Sequence, residues 1–382
     1  MRKFLNYFVV TLTIITFALF LACNKNDDEV YTPVQAPVSV KVVNVDLTTV
    51  PYAKLSDYNF FSGDLKNQIP AENVIPYEPA SSLFTDYAKK KRFVWLPKNQ
   101  KATFNGVENV LELPIGSVII KTFYYDNVLP SNTTKVIETR LLIRKDSGWI
   151  FAEYVWNDAQ TDAVLNLDGS TKNISWNNEN NVTKSVNYRI PNKAECAACH
   201  KKIDPNGVSE TYIPIGIKPQ NLNTDYNYTS GSKNQLTKWI ELGLLENNFT
   251  FPDASNSVVN YKDTSKSLEL RARSYLDINC AHCHQLERKC AYRSMRFAFK
   301  STGAANGKTN LGICSNTEEL QGTALLPFTK IISPANLGQS MLHFRINTTD
   351  EAYRMPQLGR TIIHEEGVAL MEQWINSLQP CR

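Results

Sequence analysis

Two short cysteine–histidine motifs carry the clearest chemistry in this 382-residue chain. Residues 196–200 read CAACH and residues 280–284 read CAHCH, so both follow the pattern Cys-x-x-Cys-His. Two thiols at this spacing add across the two vinyl groups of one haem, and the adjacent histidine binds the iron. The pattern therefore predicts two covalently attached c-type haems. The predicted residues are Cys196, Cys199 and His200 for the first haem, and Cys280, Cys283 and His284 for the second.

Two other chemistries use cysteines at this spacing, a thiol redox pair and a zinc site. A zinc ion could draw on both cysteine pairs, but it would not explain why a histidine directly follows each pair. His282 lies between the cysteines of the second motif, where we expect an ordinary loop residue. Haem attachment is the preferred interpretation, with zinc as the alternative.

The sixth iron ligand decides whether a haem is closed or open to a substrate. A histidine–methionine pair raises the reduction potential and suits electron transfer, whereas an open position suits chemistry. The chain has five methionines and five histidines, and none of them lies within residues 24–199. Met355 is followed by Pro356 in a loop before the last predicted helix, and it is the predicted sixth ligand of the second haem.

The first haem has no methionine or further histidine close to His200 in the sequence. Three arrangements are therefore open: a late residue folds back over the iron, a lysine binds it, or the iron is five-coordinate or water-bound. The candidate late residues are Met341, His343 and His364, with Met295 as a further one, and the candidate lysines are Lys201, Lys202 and Lys218.

Besides Cys23, three cysteines lie outside the motifs, at positions 290, 314 and 381. An odd number allows at most one disulfide within the chain, and connectivity does not follow from sequence alone. We predict the pair Cys290–Cys314, which would close a loop of about 25 residues inside the second haem region and leave Cys381 free.

The N-terminus has the form of an export signal. Residues 1–22 combine a basic start with an apolar run, and Leu21-Ala22-Cys23 is similar to a bacterial lipobox. We therefore predict cleavage and lipidation at Cys23, on an outer-membrane lipoprotein facing the periplasm or the cell surface. The acidic cluster at residues 27–29 resembles a surface-export signal, and a solvated tether explains it equally well. An exported chain lies where thiols can be oxidised.

The composition excludes other classes of protein. Apolar residues make up 42% and charged residues 20%, which is typical of globular chains and not of disordered ones. The formal charge is +4, and a basic nucleic-acid binder would normally carry more charge and cluster it, so nucleic acid is not an expected partner.

The elements that must position the motifs change character along the chain. Residues 46–190 are β-rich, with strands expected at 110–113, 117–125, 135–144 and 149–156 and a hairpin turn at 145–148. Helices are expected at 234–246, 265–279 and 365–378, the second capped by Asp263 or Thr264. The prediction is a multidomain protein, with an N-terminal all-β sandwich or barrel-like domain followed by mainly α, cytochrome c-like haem domains. Its segments are a signal peptide (1–22), a tether (23–45), a β-rich domain (46–190), a first haem region (191–260) and a cytochrome c-like domain with the second haem (261–382).

Several stretches resemble a family of predicted dihaem c-type cytochromes of Gram-negative bacteria. They are SDYNFFSG (56–63), SSLFTDYAKKKRFVWLP (81–97), ETRLLIRKDSGWIFAEYVWNDAQTDA (138–163), KPQNLN (218–223), RARSYLDINCAHCH (271–284) and MPQLGR with the closing WI (355–375). The Met-Pro loop is also similar to the distal loop of class I cytochromes c. The resemblance implies a β-rich region fused to two haem sites, and it indicates class and cofactor without a substrate.

The preferred function is electron transfer between redox partner proteins of the envelope, by a membrane-anchored carrier. The alternative is a dihaem oxidoreductase, peroxidase-like, with an open catalytic haem at the first motif. A third class is a binding module, in which the β-rich part recognises an envelope component. Polar residues on the strands either hydrogen-bond within the β-rich part or line a substrate site beside the first haem; they are Glu138, Arg140, Asp158, Gln160 and Asp162.

Overall fold

One large antiparallel sheet organises the protein. The structure, a computed structural model, describes residues 41–318, 325 and 327–381, and the chain from Lys41 on forms one compact unit. Eight strands share this sheet in the order β10-β9-β5-β6-β7-β8, with β4 paired to β5 and β3 paired to β4. They are β3 (Val74–Pro76), β4 (Lys89–Trp95), β5 (Val118–Val128), β6 (Thr133–Lys145), β7 (Gly148–Trp156), β8 (Ala163–Leu165), β9 (Ser170–Asn177) and β10 (Thr183–Ile190).

Smaller two-stranded pairs flank the sheet. They are β1 (Phe61–Ser62) with β2 (Ile69–Pro70), β11 (Lys201–Ile203) with β12 (Glu210–Tyr212), and β13 (Asp225–Tyr228) with β14 (Gly231–Asn234). The predicted strands around 117–125, 135–144 and 149–156 are confirmed as β5, β6 and β7. The predicted turn is confirmed by the pairing of Lys145 with Gly148. The expected strand at 110–113 is reduced to an isolated bridge between Glu112 and Thr103.

Both faces of the sheet are covered, so its central strands are buried almost throughout. Successive residues of a strand point to opposite faces. Ile120 shares one hydrophobic core with Tyr58, from the segment that precedes the sheet. Ile119 faces the other way and shares a second core with Cys196 and Trp239. The segment that carries the first motif therefore covers one face of the sheet.

Eight α-helices follow the sheet among the described residues. They are α1 (Lys193–His200), α2 (Pro219–Leu222), α3 (Gln235–Glu241), α4 (Leu268–Cys280), α5 (Phe299–Gly303), α6 (Gly307–Leu311), α7 (Met341–Ile346) and α8 (Glu365–Ser377). The three predicted helices are confirmed as α3, α4 and α8. Ser267 caps α4 through the backbone N–H of Leu270, so the expected cap at Asp263 or Thr264 is wrong. Tyr275 and Leu276 of α4 pack with Met371 and Trp374 of α8 in a third core.

The predicted fold class is wrong in two respects. Over the described residues strand outweighs helix, 27% against 22%, and the longest helices have 13 residues, so there is no mainly α cytochrome c-like domain. The strands form one branched sheet instead of two packed ones. The physical reason is the same in both cases: short helices and hairpins of the motif-bearing segments cover the sheet face that a second sheet would otherwise cover.

A loop between β3 and β4 joins the sheet to the C-terminal helices. The Asp86 carboxylate accepts hydrogen bonds from the backbone N–H groups of Thr361 and Ile362, at 2.6 and 3.1 Å. The backbone N–H of Phe84 donates to the Asn279 side chain at 2.9 Å. These bonds fix the second motif, at the end of α4, against the sheet that holds the first.

Among the described residues, the search for a helix of sufficient length and hydropathy to cross a bilayer finds none. The predicted signal peptide and the predicted lipidation site at Cys23 lie outside the described residues.

Candidate functional site: two adjoining cysteine–histidine motifs

The first motif lies on α1, against the face of the large sheet. Asn192 and Glu195 form a capping box that fixes the start of this helix. Cys196 is buried, and its thiol donates to the Glu153 carboxylate at 3.4 Å. The His200 ring packs against Phe151 of β7, with ring centroids 5.2 Å apart.

The His200 ring is oriented by a backbone carbonyl. Its Nδ1 lies 2.7 Å from the carbonyl oxygen of Ile213, so Nδ1–H donates and Nε2 remains the ligating nitrogen. Burial lowers the pKa of His200 to about 4, which keeps the imidazole neutral. Metal-bound histidines show this arrangement, with the second ring nitrogen donating to a carbonyl.

The second motif follows directly from α4. The backbone N–H of His284 donates to the Cys280 carbonyl at 2.9 Å, and its ring lies 5.4 Å from that of Phe297. Burial lowers the pKa of His284 to about 4. Unlike in the first motif, the buried Nδ1 of His284 has no hydrogen-bond partner within the described residues.

The two motifs adjoin each other. The sulfurs of Cys199 and Cys283 and a ring nitrogen of His282 lie within 4.8 Å of one another. A hydrogen bond with Cys283 holds the pKa of the Cys199 thiol well below its ordinary value, and one from Cys283 to Cys290 lowers the pKa of Cys290 to about 7. Cys199, His282 and Cys283, with Cys290 bonded to Cys283, offer thiol and imidazole donors that zinc also accepts. His282 lies beside these thiols, and its role as an ordinary loop residue stays a prediction.

A cavity beside the second motif has mainly apolar walls. His284 and Met355 both line it, as the predicted pair of axial ligands requires. The backbone N–H of Met355 donates to the Arg345 carbonyl at 2.8 Å, which ties its loop to α7. Other walls come from Met295, Phe297, Met341, Leu342 and Ile346.

A second cavity lies between the first motif and the sheet. His200, Cys196 and Cys199 line it, together with Met355 and His364 from the C-terminal segment. Its sheet wall carries charges, from Arg92, Lys121, Arg140 and Glu153. The other cavity is also lined by charged side chains, from Lys289, Arg293, Glu318 and Arg345, but these come from loops and α7. Cys199 and Met355 line both cavities.

The candidates for the sixth ligand of the first haem have other contacts. Met341 lines the second-motif cavity, and His343 Nε2 pairs with the Glu372 carboxylate at 2.7 Å. His364 lines the first-motif cavity, but its Nδ1 and Nε2 lie 3.1 and 3.5 Å from the hydroxyls of Tyr275 and Tyr261. The three candidate lysines pair with carboxylates, Lys201 with Glu210, Lys202 with Glu287 and Lys218 with Asp277.

The predicted disulfide is wrong. Cys314 pairs with Cys381, with Cα atoms 5.7 Å apart, and Cys290 is a free thiol that lines the second-motif cavity. The closing helix α8 returns the C-terminus to Cys314, a tertiary contact that loop length in the sequence does not reveal. Cys290 instead lies beside Cys283, whose carbonyl accepts its backbone N–H at 3.1 Å.

The polar strand residues predicted from the sequence fall into two groups: some bond within the β-rich part or face solvent, and others line the first-motif cavity. Gln160 bonds the backbone of Val136, and Asp162 accepts from the Ser56 hydroxyl at 2.6 Å. The Asp158 side chain is fully exposed. These three serve the surface and the β-rich part itself. Arg140 lines the first-motif cavity and bonds Glu138 at 2.6 Å.

Sequence reasoning missed Arg92 and Lys121 in this cavity. Both lie on strands, and their meeting depends on the pairing of Arg92 with Lys121 across β4 and β5. The alternation of KKKRFVW and VIIKTFYY could have placed each on a strand face, but not opposite each other.

Both motifs fit a covalently held haem by their donor sets. Each offers two thiols and a buried neutral imidazole beside a cavity, and the carbonyl bond of His200 adds the orientation that a proximal ligand needs. Comparison with models of protein families, with curated proteins and with solved structures finds no match to this chain. The resemblance to dihaem cytochromes therefore stays a prediction.

Proposed function

We propose that this protein is a lipid-anchored c-type cytochrome of the cell envelope, which carries two haems and passes electrons between redox partner proteins. Haem, when attached, supplies reversible one-electron chemistry at its iron. The observation that carries the proposal is the meeting of the two motifs, with the sulfurs of Cys199 and Cys283 within 4.8 Å. Attachment at both motifs would make the two redox centres neighbours within one chain.

Each motif would hold one haem. Cys196 and Cys199 would hold the first haem covalently, and the Ile213 carbonyl, which fixes the His200 ring, would leave Nε2 free to bind its iron. Cys280 and Cys283 would hold the second haem, and His284 and Met355, which line the same cavity, would bind its iron. The predicted anchor at Cys23 would place the protein on the outer membrane, at the periplasmic or the outer surface.

A second candidate function has its own support. The residues predicted to close the first haem either line the other cavity or have their donor atoms engaged, and the cavity beside His200 has charged walls. This arrangement favours an open iron at the first motif and a dihaem oxidoreductase, with the second haem as its electron relay.

The deciding experiment counts and classifies the haems. The full chain is expressed in a host that attaches haem c, purified in detergent, and assayed for haem by alkaline pyridine spectra and for metals by elemental analysis. We expect two haems, and two irons, per chain. A protein with no haem and one zinc ion per chain would overturn the proposal in favour of the cluster of Cys199, His282, Cys283 and Cys290.

The same sample separates the carrier from the oxidoreductase. Electron paramagnetic resonance distinguishes low-spin from high-spin iron, and carbon monoxide binds only an open ferrous haem. Two low-spin haems without carbon monoxide binding support the carrier. One high-spin haem that binds carbon monoxide and is lost in Cys196→Ser supports an oxidoreductase with its open site at His200.

A further inference from the structure

Four charged residues form a row across the sheet, on the wall of the first-motif cavity. Arg92 on β4 is directly opposite Lys121 on β5, Lys121 is opposite Arg140 on β6, and Arg140 is opposite Glu153 on β7. All four line the cavity that His200 also lines. Three cations therefore stand side by side on adjacent strands, where like charges destabilise a sheet.

Two buried carboxylates, Glu153 in the row and Glu138 beside it, both pair with the same cation. Arg140 bonds Glu138 at 2.6 Å and lies 3.2 Å from Glu153. These two acids are buried, so they are not shared with solvent. Arg140 is thus compensated by two buried acids, whereas no buried acid pairs with Lys121 or Arg92 among the described residues.

Neither Lys121 nor Arg92 has a buried carboxylate partner in the part of the chain that the structure describes. Within the described part of the chain, the Lys121 ammonium has no hydrogen bond or ion pair and meets only the face of the Phe123 ring, 5.0 Å away. Arg92 is 6% exposed, and its Nη2 donates to the Ser82 hydroxyl at 3.0 Å. Its Nη1 forms an ion pair with the exposed Glu78 carboxylate at 3.5 Å but has no hydrogen-bond partner among the described residues. A buried guanidinium nitrogen without an acceptor costs free energy unless a ligand completes it.

We propose that Lys121 and Arg92 form an anion-binding site in the first-motif cavity, which holds a carboxylate or a small inorganic oxyanion. The inference deepens the proposed function, because the cavity is the one assigned to the first haem. Two sources offer this chemistry: a propionate of the attached haem, and a free anion that enters from solvent. Either one would accept hydrogen bonds from Arg92 and neutralise Lys121.

Lys121→Met tests the site with little risk to folding, since it removes an unpaired charge from a row of like charges. The matched control is Lys91→Met. Lys91 lies on β4 next to Arg92, on the opposite face of the sheet, and its ammonium donates to the Asn67 carbonyl at 3.2 Å. Lys121→Arg keeps the charge and should keep the site. Haem content is measured first for every variant.

Sodium formate and sodium nitrite are the free-anion probes, with sodium chloride at equal ionic strength as the reference. Calorimetry reports formate binding whether or not haem is attached, so failure of the haem proposal and failure of the anion site are read separately. For a free-anion site we expect saturable binding that weakens about tenfold or more in Lys121→Met and is unchanged in Lys91→Met.

For a propionate site we expect no free-anion binding. Lys121→Met then lowers the midpoint potential of one haem, because the lost positive charge no longer disfavours the oxidised iron, and Lys91→Met leaves both potentials in place. The proposal is overturned if Lys121→Met changes neither anion binding nor a potential. It is also overturned if that variant turns a low-spin haem high-spin, since Lys121 would then be an iron ligand.

Discussion

The same five-residue motif stands in two different surroundings in this protein. At the first motif the facing wall is a sheet with a row of charges, Arg92, Lys121, Arg140 and Glu153. At the second the walls come from helices and loops, with Met295 and Met341 beside the charged side chains of Lys289, Arg293 and Arg345. The motif alone therefore specifies how a haem would be attached, and the surrounding fold specifies what the iron would do.

The histidines of the two motifs also differ in their hydrogen bonding. His200 donates Nδ1–H to a carbonyl, which fixes its ring and strengthens it as a ligand, whereas Nδ1 of His284 is buried without a partner. A stronger imidazole ligand favours ferric iron, and a methionine ligand favours ferrous iron. We therefore expect the first haem to have the lower potential, so that electrons pass from the first motif to the second.

The largest effect should come from removing one attachment site at a time. Cys196→Ser with Cys199→Ser should leave one haem per chain, and Cys280→Ser with Cys283→Ser should leave the other, as counted by pyridine spectra. The two products should differ in spectrum and potential as the surroundings differ. Cys290→Ser is the control and should keep both haems. Loss of both haems in either double variant would contradict two independent sites.

Met355→Ala tests the assignment that makes the second site closed. Replacing a methionine ligand by water or nothing should lower the potential of one haem by on the order of 100 mV or more, within the wide range that axial ligands set. Potentiometric titration measures it. Met341→Ala is the matched control, because Met341 lines the same cavity and is not the predicted ligand of the second haem. An unchanged potential in Met355→Ala and a shifted one in Met341→Ala would reverse the assignment.

The sequence predicts best what is local. The hairpin at Lys145–Gly148, the helix before the second motif and the closing helix all follow from short patterns, and the structure confirms them. The motif histidines were equally visible. What failed depends on chain segments that meet far apart in sequence, as Cys314 and Cys381 do.

The fold class failed for a related reason. A helix that leads into a motif predicts a helical domain only if other helices cover it. Here Cys196 packs in one core with Trp239 and with sheet residues such as Ile119, so the sheet itself is the partner of α1. Likewise Lys121 is an ordinary strand residue until cross-strand pairing sets it between Arg92 and Arg140.

The disulfide is a further difference between the surroundings of the two motifs, because it crosslinks only the region of the second motif. It joins residues 67 apart, and in the chain-entropy account such a crosslink contributes about 4 kcal/mol. We expect Cys381→Ser to lower the free energy of unfolding by roughly that amount in urea titrations. Cys290→Ser removes an unpaired thiol and should change it by less than about 1 kcal/mol. An equal loss in both variants would contradict a role for the crosslink.

His364 belongs to both regions, because it starts α8 and also lines the first-motif cavity. It stacks on Phe84 with centroids 4.1 Å apart, and burial lowers its pKa to about 4 from an ordinary value of 6.5. The folded protein therefore holds this ring neutral, whereas the unfolded chain takes up a proton below pH 6.5. Its contribution to stability is complete above pH 6.5 and is lost as the pH falls from 6.5 toward 4.

The loss from this one group should reach about 3 kcal/mol at most. His364→Gln cannot take up the proton, and its amide can still bond the Tyr275 hydroxyl. Urea midpoints of both proteins are measured at pH 7.5 and 4.5, and the difference at pH 7.5 controls for lost packing. The variant should lose less stability on acidification than the parent. Equal losses of stability on acidification would mean that the fold does not hold His364 neutral. Iron or solvent would then reach its ring from the first-motif cavity.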